Sequence, residues 1–302
     1  MEQVELGRTG RMVSRIGYGA LALSFTGRPE RGAAKKVMRR ALELGINLID
    51  TADVYCLHAG EVGHSERLVR EVLREAGAGE RVLVATKGGV ERIGAQNRMN
   101  GRPWYLRQAC ERSLRALGVD TIDLYYLHGP APGVPFEESV GALARLLEEG
   151  KVRTLGVCNV GLEQVRAAAG ITTLTAVQAH FNPWDRSPET SGLLRYCHEN
   201  GITFVQHSPV GGARRVGMLR QDEALRAFAG AHGASPEELV IAWALHKSPT
   251  LVPSPGASRE ASVESSVRAA GVRLDDAAVR ELDAGFARLG RPARPVAEAA
   301  AR

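Results

Sequence analysis

Asp50, Tyr55, Lys87 and His128 are the residues of this chain best suited to moving a proton, and each stands at or just past the end of a short apolar run. The runs are Asn47-Leu48-Ile49-Asp50, Val82-Leu83-Val84-Ala85-Thr86-Lys87 and Ile122-Asp123-Leu124-Tyr125-Tyr126-Leu127-His128, with helical patterns between them. In an α/β barrel, polar residues at successive strand ends converge on one mouth. A tyrosine of ordinary pKa, about 10, gives up its proton reluctantly unless a cation steadies the anion left behind. A lysine can be that cation, and an aspartate can hold the lysine through a charge-assisted hydrogen bond. Taken singly, each residue has a plainer use: Asp50 as a cap or loop residue, Tyr55 as a rim aromatic, Lys87 as a solvated strand end, His128 as a core histidine.

In order and in flanking residues the set resembles the aldo-keto reductases. Asp50-Thr51-Ala52-Asp53-Val54-Tyr55, then Ala85-Thr86-Lys87 and Leu127-His128, match that family's catalytic tetrad. The resemblance implies hydride transfer between a nicotinamide cofactor and a carbonyl or alcohol. Tyr55 would be the proton donor, Lys87 the cation beside it, Asp50 the anchor of Lys87, and His128 the group orienting the carbonyl oxygen.

The same resemblance implies a cofactor set. Gly156-Val157-Cys158-Asn159 resembles the family's G-V-S-N at the fifth strand end, and Val177-Gln178 its V-Q at the sixth. Asn159 and Gln178 would hold the nicotinamide carboxamide, while Cys158 stands where serine is usual and donates a weaker hydrogen bond. His207-Ser208-Pro209-Val210-Gly211 matches the segment after the seventh strand. There His207 takes the place of an aromatic that stacks on the nicotinamide, and Ser208, Pro209, Val210 and Gly211 would cradle the pyrophosphate.

Val252-Pro253-Ser254-Pro255-Gly256-Ala257-Ser258-Arg259 resembles the segment that enters a helix after the eighth strand. A helix start with Ser258 and Arg259 suits the phosphate that distinguishes NADP(H). Gly19 and Asp50 complete the expected cofactor residues. Ser265 and Ser266 depart from the Glu and Asn that the family sets against adenine. The plainer readings are a turn for Asn159, a strand end for Gln178, and a helix cap with a solvated arginine for Ser258 and Arg259.

These residues need a scaffold, and the chain supplies the pattern of one. Strand-like segments at 16–19, 47–50, 82–87, 122–128, 152–158, 175–178, 203–206 and 250–253 alternate with helix-like ones at 33–44, 66–75, 103–117, 136–149, 162–168, 189–199 and 236–246. Alternation of this kind calls for a parallel sheet with crossover helices, and eight strands is the count of a (β/α)8 TIM barrel. Val4-Glu5-Leu6 and Met12-Val13 around a glycine-bounded turn read as an N-terminal β-hairpin, which in the resembling family plugs the barrel bottom. Ser235 with Glu238 reads as a capping box before Pro236. Two extra helices, 222–232 and 275–289, exceed the eight-fold count, as they do in that family. Residues 290–302 lack apolar periodicity and are expected to form a flexible tail.

Two short motif matches are discounted. Gly17 to Ala22 satisfies G-x-G-x-x-A, but Pro29 and its neighbours intervene before the next helix. His64-Ser65-Glu66 fits H-x-E without the P-C-x-x-C of zinc deaminases, so Ser65 is expected as the cap of the following helix.

With 302 residues and 44% apolar composition the chain can bury one large core, so a single barrel domain over 1–302 is expected. The net charge of +5 is spread along the chain without a dense basic run, which argues against a nucleic-acid partner. Cys56, Cys110, Cys158 and Cys197 are scattered, with neither disulfide nor metal-ligand spacing, so no metal is expected and a reducing cytoplasmic location fits. Met1-Glu2-Gln3-Val4-Glu5 does not read as a signal peptide, and no apolar stretch has membrane-spanning length. The expected partner is a small-molecule carbonyl substrate, with no membrane or nucleic acid. Oligomeric state is not legible.

Arg28, Arg31, Arg92, Arg98 and Arg102 fall in loops where substrate specificity would lie. Solvated surface arginines and recognition of an anionic substrate both remain open. A different class of function also stays open, because relatives in the resembling family serve as NADP(H)-binding sensor or regulatory subunits of membrane channels. A barrel hydrolase using Asp50 and His128 lacks clustered metal ligands.

Overall fold

Eight apolar runs pair in parallel in the order in which the chain meets them. They are β1 (Tyr18–Gly19), β2 (Leu48–Asp50), β3 (Leu83–Gly88), β4 (Ile122–Leu127), β5 (Val152–Cys158), β6 (Leu174–His180), β7 (Thr203–His207) and β8 (Leu251–Ser254). The computed structural model describes residues 1–289, so the tail expected over 290–302 lies outside the described residues.

The sheet returns on itself between β8 and β1. Gly17 N donates to Pro253 O at 2.8 Å, Gly19 N donates to Pro255 O at 3.1 Å, and Gly19 bridges Gly256. A β-carbon on Gly19 would lie 3.1 Å from Ser254 O, so a glycine lets the two edges approach. Helices pack outside, which makes the fold the (β/α)8 barrel expected from the alternation.

Strand geometry sends successive side chains to opposite faces, and the two cores follow that rule. Leu48, Leu83, Ala85, Leu124, Tyr126, Cys158, Ala176, Val205 and Val252 form an inner cluster, joined by Leu6 and Val13 of the N-terminal hairpin. Ile49, Val84, Tyr125, Leu127, Val157, Val177, Phe204 and Leu251 alternate with them and face the helices. The hairpin strands, Gln3–Glu5 and Met12–Ser14, pair antiparallel with Val4 opposite Val13. Leu124 is fully buried in the inner cluster, so Leu124→Ala would cost about 2 to 5 kcal/mol in lost transfer energy and cavity.

Several segments differ from the expected ones for local reasons. The helix expected over 189–199 is two pieces, Ser187–Thr190 and Leu193–Glu199, separated where Gly192 takes φ 81. Ser65 is not a cap: the helix His64–Glu75 starts after Gly63, and the buried Ser65 hydroxyl accepts from Thr51 Oγ1 at 2.8 Å. The stretch after β3 holds a β-hairpin, Val90–Ile93 paired with Gln96–Met99. Glu223–Ala231 and Asp276–Leu289 are the two extra helices, and a further helix, Ala213–Gln221, precedes them. Ser235 and Glu238 do form the capping box of Pro236–Lys247. No helix among the described residues is long and apolar enough to cross a membrane.

Candidate active site

The inward phase of five of the eight strands, followed to the C-terminal end or just past it, reaches a polar residue. Leu48 leads to Asp50, Ala85 to Lys87, Tyr126 to His128, Ala176 to Gln178 and His180, and Val205 to His207. Lys87 is the hub. Its Nζ donates to Asp50 Oδ1 at 2.8 Å and Oδ2 at 2.7 Å, to Thr51 O at 2.8 Å, and lies 3.2 Å from Tyr55 Oη. Gln178 Nε2 donates to Asp50 Oδ1 at 2.8 Å, so the carboxylate is held from two sides.

Burial opposes the charge on Lys87, but Asp50, Tyr55 and Cys158 together outweigh it and hold the ammonium above its ordinary pKa. Burial pushes the Tyr55 hydroxyl up to about 12 while Lys87 pulls it down. Tyr55 therefore keeps its proton at neutral pH, and the cation that would stabilise its anion is already in contact.

His128 lies one residue beyond β4, its N–H donating to Gly88 O at 2.8 Å. Burial, aided by Lys87, pushes its imidazole down to about 3, so the ring is neutral. It stands edge-on to Tyr55, with centroids 6.1 Å apart, and its Nδ1 is buried without a partner among the described residues.

Asn159 adopts φ 58, a left-handed conformation that asparagine tolerates. Its N–H donates to Gln178 O at 2.9 Å and its Nδ2 to His128 O at 2.9 Å. That orients its Oδ1 toward His207 Nε2, 3.1 Å away, so the proton of His207 sits on Nε2. Burial, then His180, Lys87 and His128, hold His207 well below the usual histidine range. The His180 ring lies against it, tilted by 58° with centroids 3.9 Å apart. The Cys158 thiol reaches Gln178 Oε1 at 3.5 Å and is pushed up to about 12 by burial.

Beyond β7, Ser208 at φ 52 and Gly211 at φ 73 bend the chain, with Gly211 N donating to Ser208 O at 2.9 Å. Pro209 is buried and Val210 half-buried in that turn. Ser258 and Arg259 are exposed at the start of the helix Glu260–Ala269, with Arg259 as N-cap. Ser266 is buried and its hydroxyl donates to Ser262 O at 2.9 Å.

The loop arginines are mostly spoken for. Arg28 pairs with Glu61, Arg31 with Glu71, Arg98 with Glu91, and Arg92 donates to Asn97 Oδ1 and Leu57 O. Arg102 is exposed as the N-cap of Pro103–Leu117. Sequence reasoning missed Thr51 O, Phe25 and His180. Phe25 stands edge-on to Tyr55 with centroids 5.9 Å apart. His180 was findable, because it shares the inward phase of Gln178 two residues earlier. A backbone carbonyl has no such signature.

Known proteins share this fold and family. A model of the Aldo/keto reductase family matches residues 15–285. "Probable aldo-keto reductase 1" from Glycine max is 32% identical over 311 residues, spanning 93% of this chain and 88% of that protein. The structure of a glycerol dehydrogenase from Gluconobacter oxydans superposes with a TM-score of 0.83 at 26% identity, covering 97% of this chain and 98% of that one. An aldo-keto reductase from Klebsiella pneumoniae in complex with NADPH superposes with a TM-score of 0.78 at 26% identity, covering 97% and 96%.

Proposed function

Because this chain belongs to the aldo-keto reductase family, we propose that it is an NADP(H)-dependent oxidoreductase that reduces an aldehyde or ketone to an alcohol with Tyr55 as proton donor. The observation that carries this reading is the buried contact of Lys87 Nζ with both Asp50 and Tyr55 Oη.

The residues present fit the cofactor. Asn159 has given one N–H to His128 O and one acceptor site to His207, which leaves one of each for a carboxamide that needs both. In the turn 208–211 Pro209 carries no N–H and Gly211 gives its own to Ser208 O, which leaves Ser208 and Val210 as the backbone donors toward a phosphate, while Ser258 with Arg259 offers a hydroxyl, a guanidinium and a helix start. The NADPH complex of the Klebsiella relative supports the same assignment. When bound, NADPH supplies the hydride.

The protein's own part in the reaction is protonic and electrostatic. Neutral His128 can donate a hydrogen bond to the carbonyl oxygen and hold it beside Tyr55. As the carbonyl carbon is reduced, Tyr55 transfers its proton to the developing alkoxide. Lys87 stabilises the tyrosinate that remains, and Asp50 keeps Lys87 in place. In alcohol oxidation the same groups act in reverse.

The test is loss of NADPH absorbance with a panel of neutral and anionic aldehydes, ketones and sugars, in wild type and Tyr55→Phe. Turnover should fall by about two to four orders of magnitude in the variant, with NADPH affinity nearly unchanged. Retained turnover would remove Tyr55 as the donor. Tight NADPH binding by wild type without turnover on any substrate would instead favour a regulatory subunit.

A further inference from the structure

Leu57 is gripped from both sides by side chains outside the tetrad and the cofactor set. Its N–H donates to Glu61 Oε2 at 3.2 Å, and its carbonyl accepts from Arg92 Nη2 at 2.6 Å. Leu57 follows Tyr55 by two residues, so these bonds fix the end of the segment that carries the hydroxyl.

Both side chains are tied in turn to other loops. The Glu61 carboxylate accepts from Arg28 Nη1 at 2.9 Å and Nη2 at 3.0 Å, reaching the segment after β1. Hydrogen bonds from Arg28 and from Leu57 N hold Glu61 down to about 2, so it stays ionised. Arg92 stands on the hairpin after β3, and its Nη1 donates to its cross-strand neighbour Asn97 Oδ1 at 2.8 Å. Its guanidinium lies over the Phe25 ring, 5.8 Å from the centroid. Ala59 N adds a bond to Gly94 O at 2.9 Å, in the turn of the same hairpin. Three loops therefore meet around Tyr55, and Phe25 is packed between the Tyr55 ring and Arg92.

We propose that Arg92 is a positioning residue for Tyr55: its guanidinium clamps the Leu57 carbonyl and backs Phe25, keeping the Tyr55 hydroxyl aligned with Lys87 and with the substrate oxygen. The proposal rests on Tyr55 being the proton donor. Its physical basis is the tolerance of the alignment. Tyr55 Oη, at 3.2 Å, is the longest of the four contacts of Lys87 Nζ, so it is the first that a small drift would break. A guanidinium suits the task because its two Nη groups diverge onto two acceptors while its flat face covers a ring. A lysine ammonium cannot reproduce that geometry.

The experiment compares wild type, Arg92→Ala, Arg92→Lys and Tyr55→Phe. Arg92→Ala should lower kcat about ten- to a hundredfold, the scale of a misplacement of the order of 1 Å, with the NADPH dissociation constant unchanged. Arg92→Lys should recover only part of that loss. Free guanidinium at non-denaturing concentration should restore kcat to Arg92→Ala and give nothing to Tyr55→Phe. In the cofactor-free protein, amide exchange at Leu57 should quicken in Arg92→Ala while the amides of β3 keep their protection.

Wild-type kcat in Arg92→Ala, full recovery in Arg92→Lys, or unaltered exchange at Leu57 would each overturn the clamp. If Arg92→Ala does not fold, Arg92→Lys carries the test, with kcat below wild type expected and equality overturning it. An inactive Tyr55→Phe beside a fully active Arg92→Ala removes the clamp alone, whereas an active Tyr55→Phe removes the donor assignment with it.

Discussion

The ammonium of Lys87 meets two carboxylate oxygens, a carbonyl and a phenol, all buried, whereas Ser258 and Arg259 at the start of Glu260–Ala269 face solvent. At the proposed catalytic end a charge in low dielectric would be costly alone, so its partners are built into the fold and the geometry is set before a ligand arrives. At the proposed phosphate end an exposed guanidinium costs the fold little and would contribute chiefly when an anion docks. Substitutions at the first end should therefore disturb stability and chemistry together. Those at the second should alter ligand choice and leave the fold alone.

The strongest way to break that contrast is Lys87→Met. It leaves the buried Asp50 carboxyl without its cationic partner, which should cost about 3 to 5 kcal/mol of stability. Turnover should fall by about two to four orders of magnitude, because Tyr55 loses the charge that stabilises its anion. Denaturant unfolding and NADPH-linked assays measure both. A variant as stable as wild type would show that the pair is not what holds the mouth together.

A second, intermediate effect concerns acid. The His128 pKa is depressed to about 3 in the fold, against about 6.5 when unfolded. A depressed pKa contributes stability that is present above the unfolded value and lost as pH falls toward the folded one. The denaturant midpoint should therefore decline from about pH 6.5 downward, and less steeply in His128→Gln. Equal slopes in the two proteins would mean that His128 is not buried as a neutral ring.

The smallest effect should come from Arg259→Ala. Wild type should prefer NADPH over NADH by at least about tenfold, the equivalent of roughly 1.4 kcal/mol, and the variant should move toward parity. Its melting temperature should not change. A wild-type ratio near one, or a ratio unmoved by the substitution, would show that Arg259 does not read the phosphate.

How much was legible follows the same division. The eight strands could be read because each is a short apolar run bounded by turn residues, and 152–158 coincides with β5 to the residue. The hairpin Val90–Ile93 with Gln96–Met99 was hidden in a stretch where Val90 is the only buried residue and Met99 the only half-buried apolar one, so apolar alternation is too weak to mark it. Ala213–Gln221 combines a central Gly217 with arginines and has little apolar periodicity. Gly192 lies inside an otherwise helical pattern, and nothing local distinguishes a glycine that breaks a helix from one that is tolerated.

By itself the sequence determined which side chains share the barrel mouth. Strand side chains alternate with a period of two, so the apolar inward positions extrapolate to Asp50, Lys87, His128, Gln178 and His207 without knowledge of any contact. Only the tertiary structure decided what those groups touch. That Lys87 takes Thr51 O, that His207 carries its proton on Nε2 against Asn159, and that Arg92 reaches Leu57 O all depend on where loops from different strands come together. Alternation is a local property of the backbone, but a hydrogen bond between loops exists only once the sheet has closed and brought them within reach.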